Sequence, residues 1–142
     1  MIWHICHQKK INLKKITLLS RLILKKSILL LEMPYVNIST SAKVDDKDKL
    51  LDEISIFMSS LTNKSKRFVM TRLEDNANLY FNDESPCCFF EIRSIGSLNP
   101  SKMSKPICTF VHEKIGIPLD KIYISFQDVP AEMWGWNGRT FG

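Results

Sequence analysis

The sequence predicts an α/β (α+β) fold: two strand–helix–strand units in one four-stranded mixed sheet, both helices on one face, with short extra strands. Three observations predict it. The hydrophobic period switches from two to about 3.6 and back, twice along the chain. Capping and breaking residues stand at those switches. And 142 residues suffice for one domain with a real core but not for two.

The first unit opens with "PYVNIST" (34–40), which sets Tyr35, Asn37 and Ser39 on one side of a strand and Val36 and Ile38 on the other. "DDKDKLLDEISIFMSSL" (45–61) follows with Leu50, Leu51, Ile54, Phe57, Met58 and Leu61 at helical spacing. Asp45, Asp46 and Asp48 stand at the positive end of that helix, where acids are favoured. "RFVMTRLE" (67–74) reads as the second strand.

The second unit repeats the order. "CCFFEIRSI" (87–95) is a strand closed by Gly96, and Asn99-Pro100 is a helix-start signal before "KPICTFVHEKI" (105–115). Pro106 sits either in the first turn of a later-starting helix or inside a longer one. Gly116 and Pro118 stop the helix, and "KIYISFQD" (121–128) is the last main strand. In each unit the strands are parallel and the helix crosses one face. The other face is then bare, and Cys87, Phe89, Met70 and Tyr123 are too apolar to leave in water, so a second copy of the chain is expected to cover it. In the tail "MWGWNGRTFG" (133–142), Trp134 and Trp136 share one side of an extended segment. They dock across a subunit boundary or against their own core.

Charge narrows the function classes. Seven of the twenty bases and one of the fifteen acids lie in residues 1–32, leaving thirteen bases against fourteen acids in the body. The net +5 therefore belongs to the leader, and a nucleic-acid partner for the body has no electrostatic support. Cys6, Cys87, Cys88 and Cys108 form no C-x-x-C pair and suggest reduced thiols that act as small hydrophobes. The leader is broken by Arg21, Lys25 and Lys26, too often for a spanning helix. It is expected to be disordered, cleaved, or upstream of a true start at Met33. The alternative is a basic membrane-surface helix or a transit peptide, with membrane contact only if the leader is retained. His4, Cys6 and His7 lack further ligands at a useful spacing, so no metal site is expected.

Five stretches then carry a family resemblance: Pro34 after Met33, "ESPC" (84–87), "RSIG" (93–96), "IGIPLDKIYI" (115–124) and "GWNGRTFG" (135–142). In this order residues 34–142 resemble the macrophage migration inhibitory factor family. That family includes dopachrome tautomerase and belongs to the tautomerase superfamily, and "DVPAEMWGWNGRTFG" is most similar to its bacterial, cyanobacterial-type members. The resemblance implies a homotrimer with active sites at subunit interfaces, no cofactor, and keto–enol tautomerase activity on a small 2-oxo acid or enol. Such an enzyme is an intramolecular oxidoreductase or isomerase, like phenylpyruvate tautomerase and L-dopachrome isomerase. Carried over by motif, Pro34 is the catalytic base and Lys64 of "TNKSK" is the pocket lysine. Ser94 and Ile95 line the site, Ile95 through its backbone, and Tyr123 comes from the neighbouring subunit. Trp134 and Trp136 form the hydrophobic rim. Ser125 stands where mammalian members place Asn, and Phe90 stands where a second cysteine would complete C-x-x-C, which puts a thiol-redox role in doubt. Arg93 adds a charge near the pocket. The resemblance also implies a cytoplasmic protein, with non-classical export in some members.

The chemistry explains why a proline would sit there. A terminal proline is a secondary amine, and a free α-amino group titrates near 8. An apolar pocket and the Lys64 cation both disfavour its charged form, leaving a neutral general base near pH 7. A 2-oxo acid would set its carboxylate on Lys64 and its ring near Trp134, Trp136 and Tyr123. If Pro34 is internal its nitrogen is an amide and this chemistry is lost, so the working protein is expected to begin at Pro34. Plainer readings exist: Lys64 as a solvated lysine at a helix end, Tyr123 as an interface aromatic, Pro34 as a tolerated first strand residue. The alternative function is a cytokine-like signalling protein of the same fold, partnered by a receptor.

Overall fold

The computed structural model describes Ser20 and residues 33–142. The readings of the leader, its basic residues and the His4–His7 stretch lie outside the described residues.

Strand β1 (Tyr35–Thr40) alternates as its sequence requires, burying Val36, Ile38 and Thr40. Helix α1 (Lys47–Thr62) starts where the Asp46 carboxylate accepts from the Lys49 amide at 3.0 Å, and ends at Asn63, left-handed at φ 57°. Its buried residues Leu50, Ile54 and Met58 fall four apart, giving one stripe against the sheet. Strand β2 (Met70–Glu74) begins three residues later than the sequence suggests. Residues Lys66–Phe68 instead form one tight turn, closed by Phe68 N–H to Ser65 O at 2.9 Å, because the Phe68 ring turns into the core.

Strand β3 (Cys88–Ser94) buries Cys88, Phe90, Ile92 and Ser94. Helix α2 (Pro100–Ile115) begins at an Asn99 cap with Pro100 in its first turn, so Pro106 lies inside the longer helix. Pro106 has no N–H to offer the preceding turn, yet Met103, Ile107 and Val111 form one buried stripe on both sides of it. That burial holds the helix together through the proline. Gly116 ends it at φ 79°, a backbone that side-chain-bearing residues rarely adopt. Strand β4 (Ile122–Asp128) follows a short turn.

The main sheet runs β2-β1-β3-β4, with β1 parallel to β2, β1 antiparallel to β3 and β3 parallel to β4. Both helices cover one face, where Val36, Ile38, Phe90 and Ile92 meet Ile54, Met58, Ile107 and Val111. Phe57 and Phe110 stack at 4.4 Å, and Lys114 reaches Glu53 at 3.1 Å. Of the four residues expected on the opposite face, Met70, Phe89 and Tyr123 are indeed exposed there, at 59%, 36% and 61%. Cys87 is not. It is buried one residue ahead of β3, its carbonyl accepting from Ser41 N–H and Thr40 Oγ1 and its amide donating to Ser41 Oγ.

The tail folds back on its own chain. Strands β5 (Gly135–Trp136) and β6 (Arg139–Thr140) pair around Asn137-Gly138, both at positive φ, the turn that a two-residue hairpin favours. Trp136 meets Phe68 edge-on at 6.3 Å and stacks on Phe141 at 6.3 Å. Phe90, fully buried at the centre of the sheet, is the natural gauge of this core. Phe90→Ala is expected to cost about 3–5 kcal/mol in urea denaturation, and a loss below about 1 kcal/mol would contradict the packing described.

Candidate active site

The period-two alternation of the sheet and its register place one row of side chains across the exposed face: Met70, Tyr35, Arg93 and Gln127, one from each strand. Pro34 stands one residue ahead of this row. Its missing N–H suits the mouth of a strand, while its carbonyl accepts from Met70 N–H at 3.0 Å and locks the β1–β2 start. The ring is fully buried.

Over this row the tail forms a wall. A turn at Ala131–Met133 is closed by Met133 N–H to Pro130 O at 2.9 Å and leads into Trp134. Ser94 O accepts from Val129 N–H at 2.9 Å, which ties the end of β3 to the same wall. Between row and wall lies a cleft of ≈ 620 Å³, whose lining includes Met33, Pro34, Trp134, Gly135 and Trp136. Met70, Val129, Pro130 and Met133 make the rest largely apolar. Arg93 is the cation on its lining.

Arg93 is oriented by its strand neighbours. Its guanidinium donates to Glu91 at 3.3 Å, and Glu91 accepts from Asn37 Nδ2 at 3.0 Å. Asn37 in turn accepts from Arg72 at 2.9 Å, so a polar chain crosses three strands. The Asn37 hydrogen bond, aided by Arg93, holds the Glu91 carboxyl below the usual carboxylate range and keeps it a charged partner for Arg93.

Of the residues proposed from sequence, the cleft lining brings together Pro34, Trp134 and Trp136. Lys64 lies off that lining. It is 4% exposed, so the solvated-lysine reading fails, and Ser59 fastens its backbone at both ends: Lys64 N–H donates to Ser59 O, and Ser59 Oγ donates to Lys64 O at 2.6 Å. Ser94 and Ile95 are buried at the end of β3, and no partner for Ser94 Oγ occurs among the described residues. Tyr123 and Ser125 share the exposed face with the cleft, but Tyr123 is four residues along β4 from Gln127, about 13 Å away at ~3.3 Å per residue. Within one chain Tyr123 is too distant to join this cleft. Tyr35, Met70 and Gln127 were missed by sequence reasoning, and Arg93 was noted only as an added charge. Each lies on the exposed parity of its strand, but only the register aligns them.

Among the described residues, Cys87, Cys88 and Cys108 lie off the cleft lining. Burial, followed by the neighbouring Cys87 and Cys108, pushes the Cys88 thiol up to about 12, so it stays protonated. Among the described residues no group of three or more His, Cys, Asp or Glu is placed to hold a metal ion, and no helix is long and apolar enough to cross a membrane.

A four-stranded sheet doubled from two β-α-β units, with an apolar cleft at the proline that opens its central strand, defines a protein of the tautomerase-superfamily fold. The chain belongs to the macrophage migration inhibitory factor family, whose sequence model, "Macrophage migration inhibitory factor (MIF)", matches residues 33–142. It is 27% identical to macrophage migration inhibitory factor of Xenopus tropicalis over 77% of this chain and 99% of that protein. Among solved structures it is similar to the homologue from Prochlorococcus marinus, with a TM-score of 0.72 and 40% identity over 76% of this chain and 99% of that one. The Trichinella spiralis protein superposes with a TM-score of 0.70 at 26% identity, covering 75% and 98% of the two chains.

On the same sheet face, the 75–87 loop is anchored by a buried cation. Lys121 Nζ donates to Asp83 Oδ2 at 2.6 Å and to Phe81 O at 3.1 Å. The Lys121 hydrogen bond, then those from Ser85, hold the Asp83 carboxyl down at about 2 from its ordinary 3.8. A depressed carboxylate stabilises the fold above its ordinary value and loses that contribution as pH falls through the lower one. The loop is therefore expected to resist pepsin at pH 4 and to be cut near Phe81 at pH 2. Asp83→Asn should bring that cleavage up to pH 4, and equal resistance of both proteins at pH 4 would contradict the anchor.

Proposed function

We propose that the chain is a cofactor-free keto–enol tautomerase of small 2-oxo acids, similar to phenylpyruvate and dopachrome tautomerases, with Pro34 as its general base. The observation that carries this reading is the placement of Pro34: buried, preceded by Met33, and on the lining of an apolar cleft that also holds Arg93 and two tryptophans. Membership of the macrophage migration inhibitory factor family supports it.

The reaction requires Pro34 nitrogen to be the chain terminus. With residues 1–33 attached that nitrogen is an amide without a basic lone pair. The family match begins at Met33, and the Xenopus relative is covered to 99% by 77% of this chain, which favours a working form that starts at Pro34. Removal of Met33 also takes away one of the residues that line the cleft. In that form the apolar lining disfavours the ammonium and favours the neutral amine that a general base needs.

A 2-oxo acid fits the cleft with its carboxylate on Arg93 and its side chain against Trp134 and Trp136. The Pro34 lone pair takes a proton from the carbon beside the carbonyl, the C–H electrons form the C=C bond, and the carbonyl π electrons move to oxygen. The protonated proline then returns the proton to that oxygen, giving the enol. The reverse direction uses the same atoms. In a homotrimer, Tyr123 and Ser125 of a neighbouring copy complete the site, with Lys64, Ser94 and the Ile95 backbone as supporting groups. The family's name favours one second reading, a cytokine-like protein whose partner is a receptor and whose cleft is incidental.

Protein started at Pro34 is expected to interconvert enol and keto phenylpyruvate well above buffer, as followed by ultraviolet absorbance. The same protein with residues 1–33 attached should show none. Arg93→Ala should raise KM about 10- to 100-fold, since a charge-assisted hydrogen bond is worth ~1.5–3 kcal/mol. An inactive Pro34-started protein of trimer mass would leave only the binding reading.

A further inference from the structure

The Lys121 anchor reaches a residue that the proposed function uses. Lys121 ends the turn before β4, and its side chain is only 9% exposed. A buried ammonium must find partners, and here it takes three: the Asp83 carboxylate, the Phe81 carbonyl, and the Phe81 ring, whose centroid is 5.5 Å away. Phe81 and Asp83 are themselves bridged, with Asp83 N–H on Phe81 O at 2.8 Å across Asn82 at φ 68°. The cation therefore sets the position of a tight turn and not merely of one side chain. That turn lays the Phe81 ring 4.6 Å from the Tyr123 ring, tilted by 36°. Tyr123 is otherwise 61% exposed, and an exposed strand tyrosine is free to sample its staggered rotamers. Phe81 on one face restricts that choice.

We propose that Lys121 and Asp83 are positioning residues: they hold Phe81 against Tyr123 and so fix the direction in which Tyr123 is presented to the cleft of a neighbouring copy. This rests on the tautomerase reading above, in which Tyr123 binds substrate from the neighbouring subunit. Neither Lys121 nor Asp83 touches the reacting atoms. Their effect passes through Phe81, which lowers the ordering cost when Tyr123 meets substrate.

The test uses Pro34-started protein and two readouts. The first is the NMR shift of the Tyr123 ring protons in protein with labelled tyrosine, which feels the Phe81 ring directly. Lys121→Met is expected to move that shift towards its value in Phe81→Ala. An unchanged shift overturns the proposal. The second is a kinetic cycle with phenylpyruvate. Lys121→Met and Tyr123→Ala should each raise KM several-fold with little change in kcat, and the double variant should be no worse than Tyr123→Ala alone. KM effects that multiply would mean that Lys121 acts independently of Tyr123, which also overturns the proposal. If the unsubstituted protein shows no tautomerase activity, the functional reading fails and Tyr123 positioning for catalysis fails with it. The NMR arm still shows whether the anchor itself holds the ring.

Discussion

The pairing of β1 with β2 on one side and β3 on the other governs the molecule. Because side chains alternate at a period of exactly two residues, this register decides at once which residues meet the helices and which face outward. A slip by one residue would turn Val36 and Ile38 out and drive Asn37 into the core. It would also scatter the row of Met70, Tyr35, Arg93 and Gln127 on which the cleft is built. Pro34 inherits its place from the same pairing, through its carbonyl on the Met70 amide. The core and the site are two faces of one constraint.

On the outward face, the charged groups work by orientation more than by energy. Arg72, Asn37, Glu91 and Arg93 lie partly in solvent, where ion pairs add little stability. Their linkage across strands nevertheless gives Arg93 a defined bearing beside an apolar cleft. The 2-oxo acid of the proposed reaction would meet there a cation already held in place, beside Trp134 and Trp136. Pro34 lies on the same apolar lining. In the proposed reaction, substrate recognition and base strength would draw on one environment.

Much of this was legible in the sequence because it depends on local periodicity. The stripe of Leu50, Ile54 and Met58, the Asn99-Pro100 start and the Gly116 stop each announce themselves within a few residues. So did the two β-α-β units. What escaped depends on contacts distant in the chain. Phe68 lies in the turn before β2 and meets Trp136, far downstream. Cys87 left the exposed face because Ser41 captured its amide. Arg93 could be noticed as a charge next to "SIG", but its membership of a four-strand row needed the register. Lys64, read by motif, is buried just after α1, and nothing in its neighbours' types says so. Pro106 shows the opposite case, where two readings were open and the buried stripe on both sides of it decided between them.

The two halves of the body meet in the sheet at a single seam, β1 against β3. Each half can assemble from neighbours in sequence, a parallel pair with its own helix across it. The seam joins residues roughly fifty positions apart, so closing it carries the largest loop entropy of the three pairings in the main sheet. Until it closes, each half is left with an unpaired central strand edge, adhesive towards any other chain in the same condition. An exchange of halves between two molecules would satisfy every one of those hydrogen bonds, with the 75–87 stretch as the crossing point. Concentration during refolding therefore selects between a chain that joins to itself and one that joins to its neighbour.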